Sequence, residues 1–187
     1  MLAYNHPYII SIAAVSGGGK TTISKELHQL LQQSKVIYFD DYQLEGPEDI
    51  IDWVDRGANY EEWDITPLIQ DIEKLATESL HYIILDYPFA RMHSKLRSSI
   101  DLAVFIDTPL DIALARRIIR DYQQDSKVEL FKEMDLYVNY GRKGYLEMLT
   151  SIKPNSDLVV DGTLTVQDIL INITEAMKVN QRDLEEK

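Results

Sequence analysis

The chain has 187 residues, 45% of them hydrophobic, enough for one domain with a substantial buried core. It contains no cysteine, which excludes disulfides and thiolate-ligated metal centres and fits a reducing, cytoplasmic setting. Its formal net charge of −12 argues against a polynucleotide partner, which Lys and Arg would have to hold by its phosphates, and no apolar run is long enough to span a bilayer.

Tyr8 to Val15 is an apolar run that predicts a strand buried on both faces. A glycine cluster follows, then a helix over Lys20 to Gln33 whose Ile23, Leu27, Leu30 and Leu31 fall on one stripe. Lys35 to Phe39 reads as a short strand ending at Asp40 and Asp41. Gly46, Pro47 and Gly57 break up the next stretch, where a short helix is expected over Glu48 to Asp55. Thr66-Pro67 reads as a cap and first helical position, opening a helix to about Ser79.

His81 to Leu85 predicts a third strand ending at Asp86, with a short helix between Phe89 and Ser99. Leu102 to Ile106 predicts a fourth, ending at Asp107, and Thr108-Pro109-Leu110-Asp111 opens a helix carrying Arg116, Arg117 and Arg120. After a polar break, Ser126 and Glu129 have capping-box spacing, and a long helix is expected from there towards Thr150. Leu158 to Val160 is the fifth strand, ending at Asp161 and Gly162, and Thr165 to Asp168 caps a last helix whose polar end after Val179 is expected to fray. Five apolar strands alternating with helices imply an α/β fold: a five-stranded, mostly parallel sheet sandwiched by helices, with ligands at the carboxyl ends of the strands.

Ala14-Val15-Ser16-Gly17-Gly18-Gly19-Lys20-Thr21 fits the phosphate-binding pattern G-x-x-x-x-G-K-[ST], with Ala14 in place of the first glycine. Glycines let successive N–H groups point into one nest at a helix N-terminus, which attracts phosphate. Ser16 to Thr22 is therefore the expected nucleotide cradle, with Lys20 on the terminal phosphates and the Thr21 hydroxyl on Mg²⁺. Asp86, after four apolar residues, has the placement of a magnesium-linked carboxylate at a strand end. The guanine-reading N-K-x-D and the transporter-type L-S-G-G-Q are absent, which leaves the compact kinases.

Longer segments resemble the uridine kinase and nicotinamide riboside kinase group, within the phosphoribulokinase-related family. Ile12 to Thr22 resembles the family's V-S-G-G-S-G-S-G-K-T-T, and VIYFDDY at Val36 to Tyr42 resembles its Q-D-x-F-Y segment. Trp63-Asp64 sits where nicotinamide riboside kinases have W-D, and DLAVFIDTPLDIALARRIIRD at Asp101 to Asp121 resembles D-L-K-I-F-V-D-T followed by R-R-I-x-R-D. The resemblance implies an ATP- and Mg²⁺-dependent phosphotransferase acting on a hydroxyl of a nucleoside or related ribosyl compound. It implies Asp40 as proton acceptor, Asp41 beside it on metal or substrate, and Arg116, Arg117 and Arg120 at the phosphates on the way into a lid over 116–129. A substrate-binding insertion is expected over 42–64, with Tyr60 and Trp63 able to stack on a flat acceptor; Arg91 and His93 are further candidates.

At 100° per residue Arg116 and Arg120 share a helix face and Arg117 turns away. Three departures stand out: QQDSK at Gln123 to Lys127 lacks the family's Gly-Arg pair, Asp86 replaces a glutamate, and Leu44 to Asp64 does not follow uridine kinases. A kinase for another small alcohol and a non-catalytic nucleotide-binding regulator stay open as alternatives.

Overall fold

The computed structural model describes residues 6–123 and 126–185, with side chains to residue 181. Its centre is one five-stranded sheet in the order β2-β3-β1-β4-β5, with every neighbouring pair parallel. The strands are β1 (Tyr8–Ala13), β2 (Ser34–Tyr38), β3 (Tyr82–Asp86), β4 (Leu102–Asp107) and β5 (Leu158–Asp161). All five expected strands are present, and "mostly parallel" becomes wholly parallel.

Alternation along β1 divides the core. Tyr8, Ile10, Ile12 and Ala14 face one layer, with Ile23 and Leu27 of helix α1 (Lys20–Leu30) and Ile169, Ile173 and Met177 of α8 (Val166–Glu185). Ile9, Ala13 and Val15 face the other layer. That layer holds α2 (Ile50–Asp55), α3 (Thr66–Ala76), α4 (Ser94–Arg97), α5 (Leu110–Tyr122) and α7 (Arg142–Glu147). Helix α6 (Lys127–Leu136) precedes α7 and runs into it through a π-helical turn at Tyr137–Gly141. A second such turn, Met148–Ile152, continues past α7, so the expected single helix towards Thr150 is one rod with two wide turns.

Helix ends differ from the sequence reading for local reasons. The first helix stops at Leu30 rather than Gln33, because Gln33 adopts φ 52° and offers its carbonyl to His81 N at 2.8 Å, turning the chain into β2. Thr108 does not cap α5: Pro109 holds the cap position, and the Thr108 hydroxyl is used elsewhere. Asp64, not Thr66, supplies the side chain at the start of α3, accepting from Thr66 N at 3.0 Å. The capping box is formed, with Ser126 Oγ accepting from Glu129 N and Glu129 accepting from Ser126 N at 3.0 Å. The last helix runs past Val179 to Glu185. Among the described residues no helix is long and apolar enough to cross a membrane.

Candidate active site

The loop after β1 lies at the carboxyl edge of the central strand, between β3 and β4. Gly17 and Gly19 adopt φ 78° and 101°, a left-handed geometry that side chains resist, and Gly19 is the N-cap of α1. Gly17 also has no room for a side chain, because a Cβ there would meet the Ala113 carbonyl oxygen of α5 at 2.1 Å. The Thr108 hydroxyl, buried after β4, donates to the Gly18 carbonyl at 2.8 Å. The cradle is thus fixed to the sheet and to α5, and it sits at the start of α1, where a helix N-terminus favours an anion.

This loop floors a cleft of about 660 Å³. Ser16 to Thr22 line it, together with Asp40, Arg116 and Arg120. Apolar side chains of Met148, Leu164, Val166 and Ile169 also line it, as do Phe39 and Pro88 beside Asp40. Asp40 sits on a single 3₁₀ turn, Phe39–Asp41, immediately after β2, with its side chain 81% exposed and 4.0 Å from Lys20 Nζ.

Lys20 and Asp86 are in ion-pair contact beneath the loop. Asp86 is 1% exposed, and neither its carboxylate oxygens nor Lys20 Nζ has a hydrogen-bond partner among the described residues. Strand pairing explains the placement: Asp86 lies level with Ile12 on β1 and Tyr38 on β2, one step below the loops that follow. Burial lowers the Lys20 ammonium from its usual value; the Asp40 carboxylate opposes this and Arg120 adds to it.

A Mg²⁺ ion carried in by nucleotide phosphates needs only one or two protein oxygens. The site fits that demand, since Asp86 offers buried carboxylate oxygens paired with Lys20 alone and the Thr21 hydroxyl stands in the cleft. Among the described residues no cluster of three acidic or histidine side chains could hold a metal unaided.

Several expected site residues lie elsewhere. Asp41, next to Asp40, turns into a separate depression with Tyr38, Tyr42 and Asp71 along the free edge of β2. Arg91 reaches the opposite, amino-terminal ends of the strands: it pairs with Asp157 at 2.7 Å and donates to the carbonyls of Arg97 and Asp101 at 3.0 Å. Its valence is spent on structure. Tyr60 is core, 7% exposed, with its hydroxyl donating to Glu147 at 3.0 Å. Trp63 is half-buried against Trp53 and Phe89 and meets Phe39 edge-on at 5.8 Å, so it stands one ring behind the cleft wall.

Arg117 does not line the cleft. It faces α6 and α7, donating to Glu133 at 2.5 Å. His93 is buried; its Nδ1 accepts from Lys95 N at 3.3 Å as the cap of α4, so its Nε2 donates to the Trp63 carbonyl at 3.1 Å. Asp107 pairs with Lys153 at 2.6 Å. The lid expected over 116–129 corresponds to the second half of α5 and the first turn of α6; Gln124 and Asp125 lie outside the described residues.

Two features escaped the sequence reading. Thr108 is the tie between the cradle and β4, and Gly162 after β5 is required by it, since a Cβ on Gly162 would collide with the Thr108 hydroxyl. The apolar wall of Leu164, Val166 and Ile169 follows that glycine, and only its position beside a strand end could have marked it.

No protein-family model matches the chain. It is 24% identical over 181 residues to a uridine kinase of Anoxybacillus flavithermus, covering 82% of this chain and 85% of that protein. It is 26% identical over 176 residues to a uridine kinase of Borrelia garinii subsp. bavariensis, covering 81% and 85%. Among solved structures, a gluconokinase from Sinorhizobium meliloti 1021 superposes with a TM-score of 0.53 at 13% identity, covering 97% of this chain and 98% of that one. A shikimate kinase from Bacteroides thetaiotaomicron superposes with a TM-score of 0.55 at 15% identity, covering 91% and 98%. At those identities the structural likeness establishes the fold. The solved kinases share its fold, and over most of its length the chain is similar to uridine kinases, which places it among small-molecule phosphotransferases.

Proposed function

We propose that the chain transfers the terminal phosphoryl group of ATP, bound with Mg²⁺, to a hydroxyl of a nucleoside or related ribosyl compound. The observation that carries this reading is the convergence of Lys20, Asp40, Arg116 and Arg120 on one cleft floored by the glycine cradle. The likeness to uridine kinases supports the nucleoside as acceptor.

In this reading the cradle's N–H groups hold the phosphates, and Lys20 leaves Asp86 to meet them. Arg116 and Arg120 supply positive charge from the α5 side, where charge spreads over the transferring group. The acceptor enters beside Phe39 and Asp40. Its hydroxyl oxygen attacks phosphorus, the bond to the ADP oxygen breaks, and the hydroxyl proton passes to the Asp40 carboxylate. Thr21 and Asp86 would hold Mg²⁺, which would supply neutralising charge at the phosphates. The apolar wall of Leu164, Val166 and Ile169 suits the face of a nucleobase.

A screen of ADP release across nucleosides, nicotinamide riboside, gluconate and shikimate tests the reading. Turnover that depends on a nucleoside supports it, and turnover that depends only on gluconate or shikimate replaces the acceptor class.

A further inference from the structure

Helix α5 presents two faces to two different structures. Arg116 and Arg120 line the nucleotide cleft. Arg117, turned about 100° from Arg116, points to the rod formed by α6 and α7. There its guanidinium donates to Glu133 Oε1 of α6 at 2.5 Å and to the Tyr145 hydroxyl of α7 at 3.5 Å. The Tyr122 hydroxyl at the end of α5 bonds to the same Glu133.

Helix α6 needs such a clamp. None of its ten residues is buried, and its Val128 and Phe131 are exposed rather than seated on a neighbour. Apolar packing, the usual source of helix stability in a fold, is sparse along it: of its apolar side chains only Leu130 is half-buried. The Arg117–Glu133 pair is sheltered, with side chains 24% and 14% exposed, so it is stronger than an open surface pair.

The clamp also touches one of the cleft arginines, Arg120. Asp121 stands 3.7 Å from Arg117 Nε and accepts from Arg120 Nε at 2.6 Å and Nη2 at 2.9 Å. At its other end the rod meets the 42–64 segment. Lys143 donates to Asp55 at 2.7 Å, and Glu147 accepts from Tyr60 at 3.0 Å. Buried Tyr145 rests edge-on against Tyr137 at 5.2 Å. One connected set of contacts therefore runs from Arg120 through Arg117 and the rod to Tyr60.

We propose that Arg117 is a positioning residue: by clamping the α6–α7 rod to α5 through Glu133, it sets the orientation in which Arg116 and Arg120 face bound phosphate. The clamp itself is independent of the phosphotransferase reading, which enters only in naming what the two arginines face.

The full chain and its Arg117→Met, Glu133→Gln, double and Arg117→Lys variants would be titrated with ADP–Mg²⁺ by calorimetry. Hydrogen exchange over residues 127–136 would be followed without ligand. Each single variant is expected to bind ADP about tenfold more weakly and to exchange faster in α6, the double variant no worse than the weaker single one, and Arg117→Lys partway back. KM for ATP should rise more than kcat falls. Weaker ADP binding in Arg117→Met with none in Glu133→Gln would make Arg117 a direct ligand and overturn the proposal. Unchanged α6 exchange in both would overturn it too. Failure of the wild type to bind ADP would count against the nucleotide reading instead, while the exchange comparison still decides the clamp.

Discussion

Lys20 of the glycine cradle and Asp86 at the end of β3 form a sheltered ion pair, with the lysine side chain 13% and the aspartate 1% exposed. The pair stores positive charge under the phosphate nest and keeps Asp86 from being buried alone. Lys20 therefore carries a structural load as well as its expected phosphate contact.

Lys20→Ala should abolish ATP use and also destabilise the fold, by about 3 kcal/mol, because Asp86 is left buried and unpaired. Lys20→Met combined with Asp86→Leu should recover much of that stability while staying inactive. Chemical denaturation of the three proteins checks this, and a Lys20→Ala protein as stable as wild type would refute the pair's role.

Asp40 and Asp41 are adjacent in sequence but open onto different depressions. Asp40→Asn should lower kcat by roughly 10²–10⁴-fold with little change in ATP affinity, as loss of a general base does. Asp41→Asn should change kcat and both KM values only a few-fold. Steady-state kinetics of the pair decides between them; a large kcat loss in Asp41→Asn alone would reverse the assignment.

Gly17→Ala should be damaging for two reasons, a left-handed φ of 78° and a Cβ 2.1 Å from the Ala113 carbonyl. The cost should be about 1–3 kcal/mol, as for overpacked sites, with ADP–Mg²⁺ binding weakened as the loop moves off α5. Gly19→Ala meets no neighbouring atom, so it should show the backbone strain alone and a smaller loss. Thermal melts of both variants give the comparison.

Arg91→Met should destabilise without touching catalysis. The guanidinium ties Asp157 to the carbonyls of Arg97 and Asp101 at the amino-terminal side of the sheet, away from the cradle. A loss of roughly 1–3 kcal/mol is expected from the unsatisfied groups left behind. KM for the acceptor should stay at the wild-type value, and a selective rise in it would return Arg91 to the acceptor site.

The strands and the cradle were legible because their signals are local: a β-branched run, a glycine cluster, an acid at or just past the end of every strand but the first. The separate faces of Arg116 and Arg117 followed from helical geometry alone. What could not be read was long-range partnership. Arg91 and Asp157 are 66 positions apart, Arg117 and Glu133 meet across a helix boundary, and Thr108 reaches back 90 positions to Gly18. Tyr60 and Trp63 carry the same residue types whether they stack on a ligand or on Trp53 and Phe89. Asp40 and Asp41 differ only in the direction a single 3₁₀ turn gives them.

The most direct measurement is ADP formation from ATP–Mg²⁺ by the wild type and Asp40→Asn, with and without a nucleoside panel headed by uridine, and with mass analysis of the acceptor. The expected result is nucleoside-dependent ADP release, matched mole for mole by a nucleoside monophosphate and reduced at least 10²-fold in Asp40→Asn. ADP release that is the same with and without every nucleoside, leaving each one unphosphorylated, would contradict it.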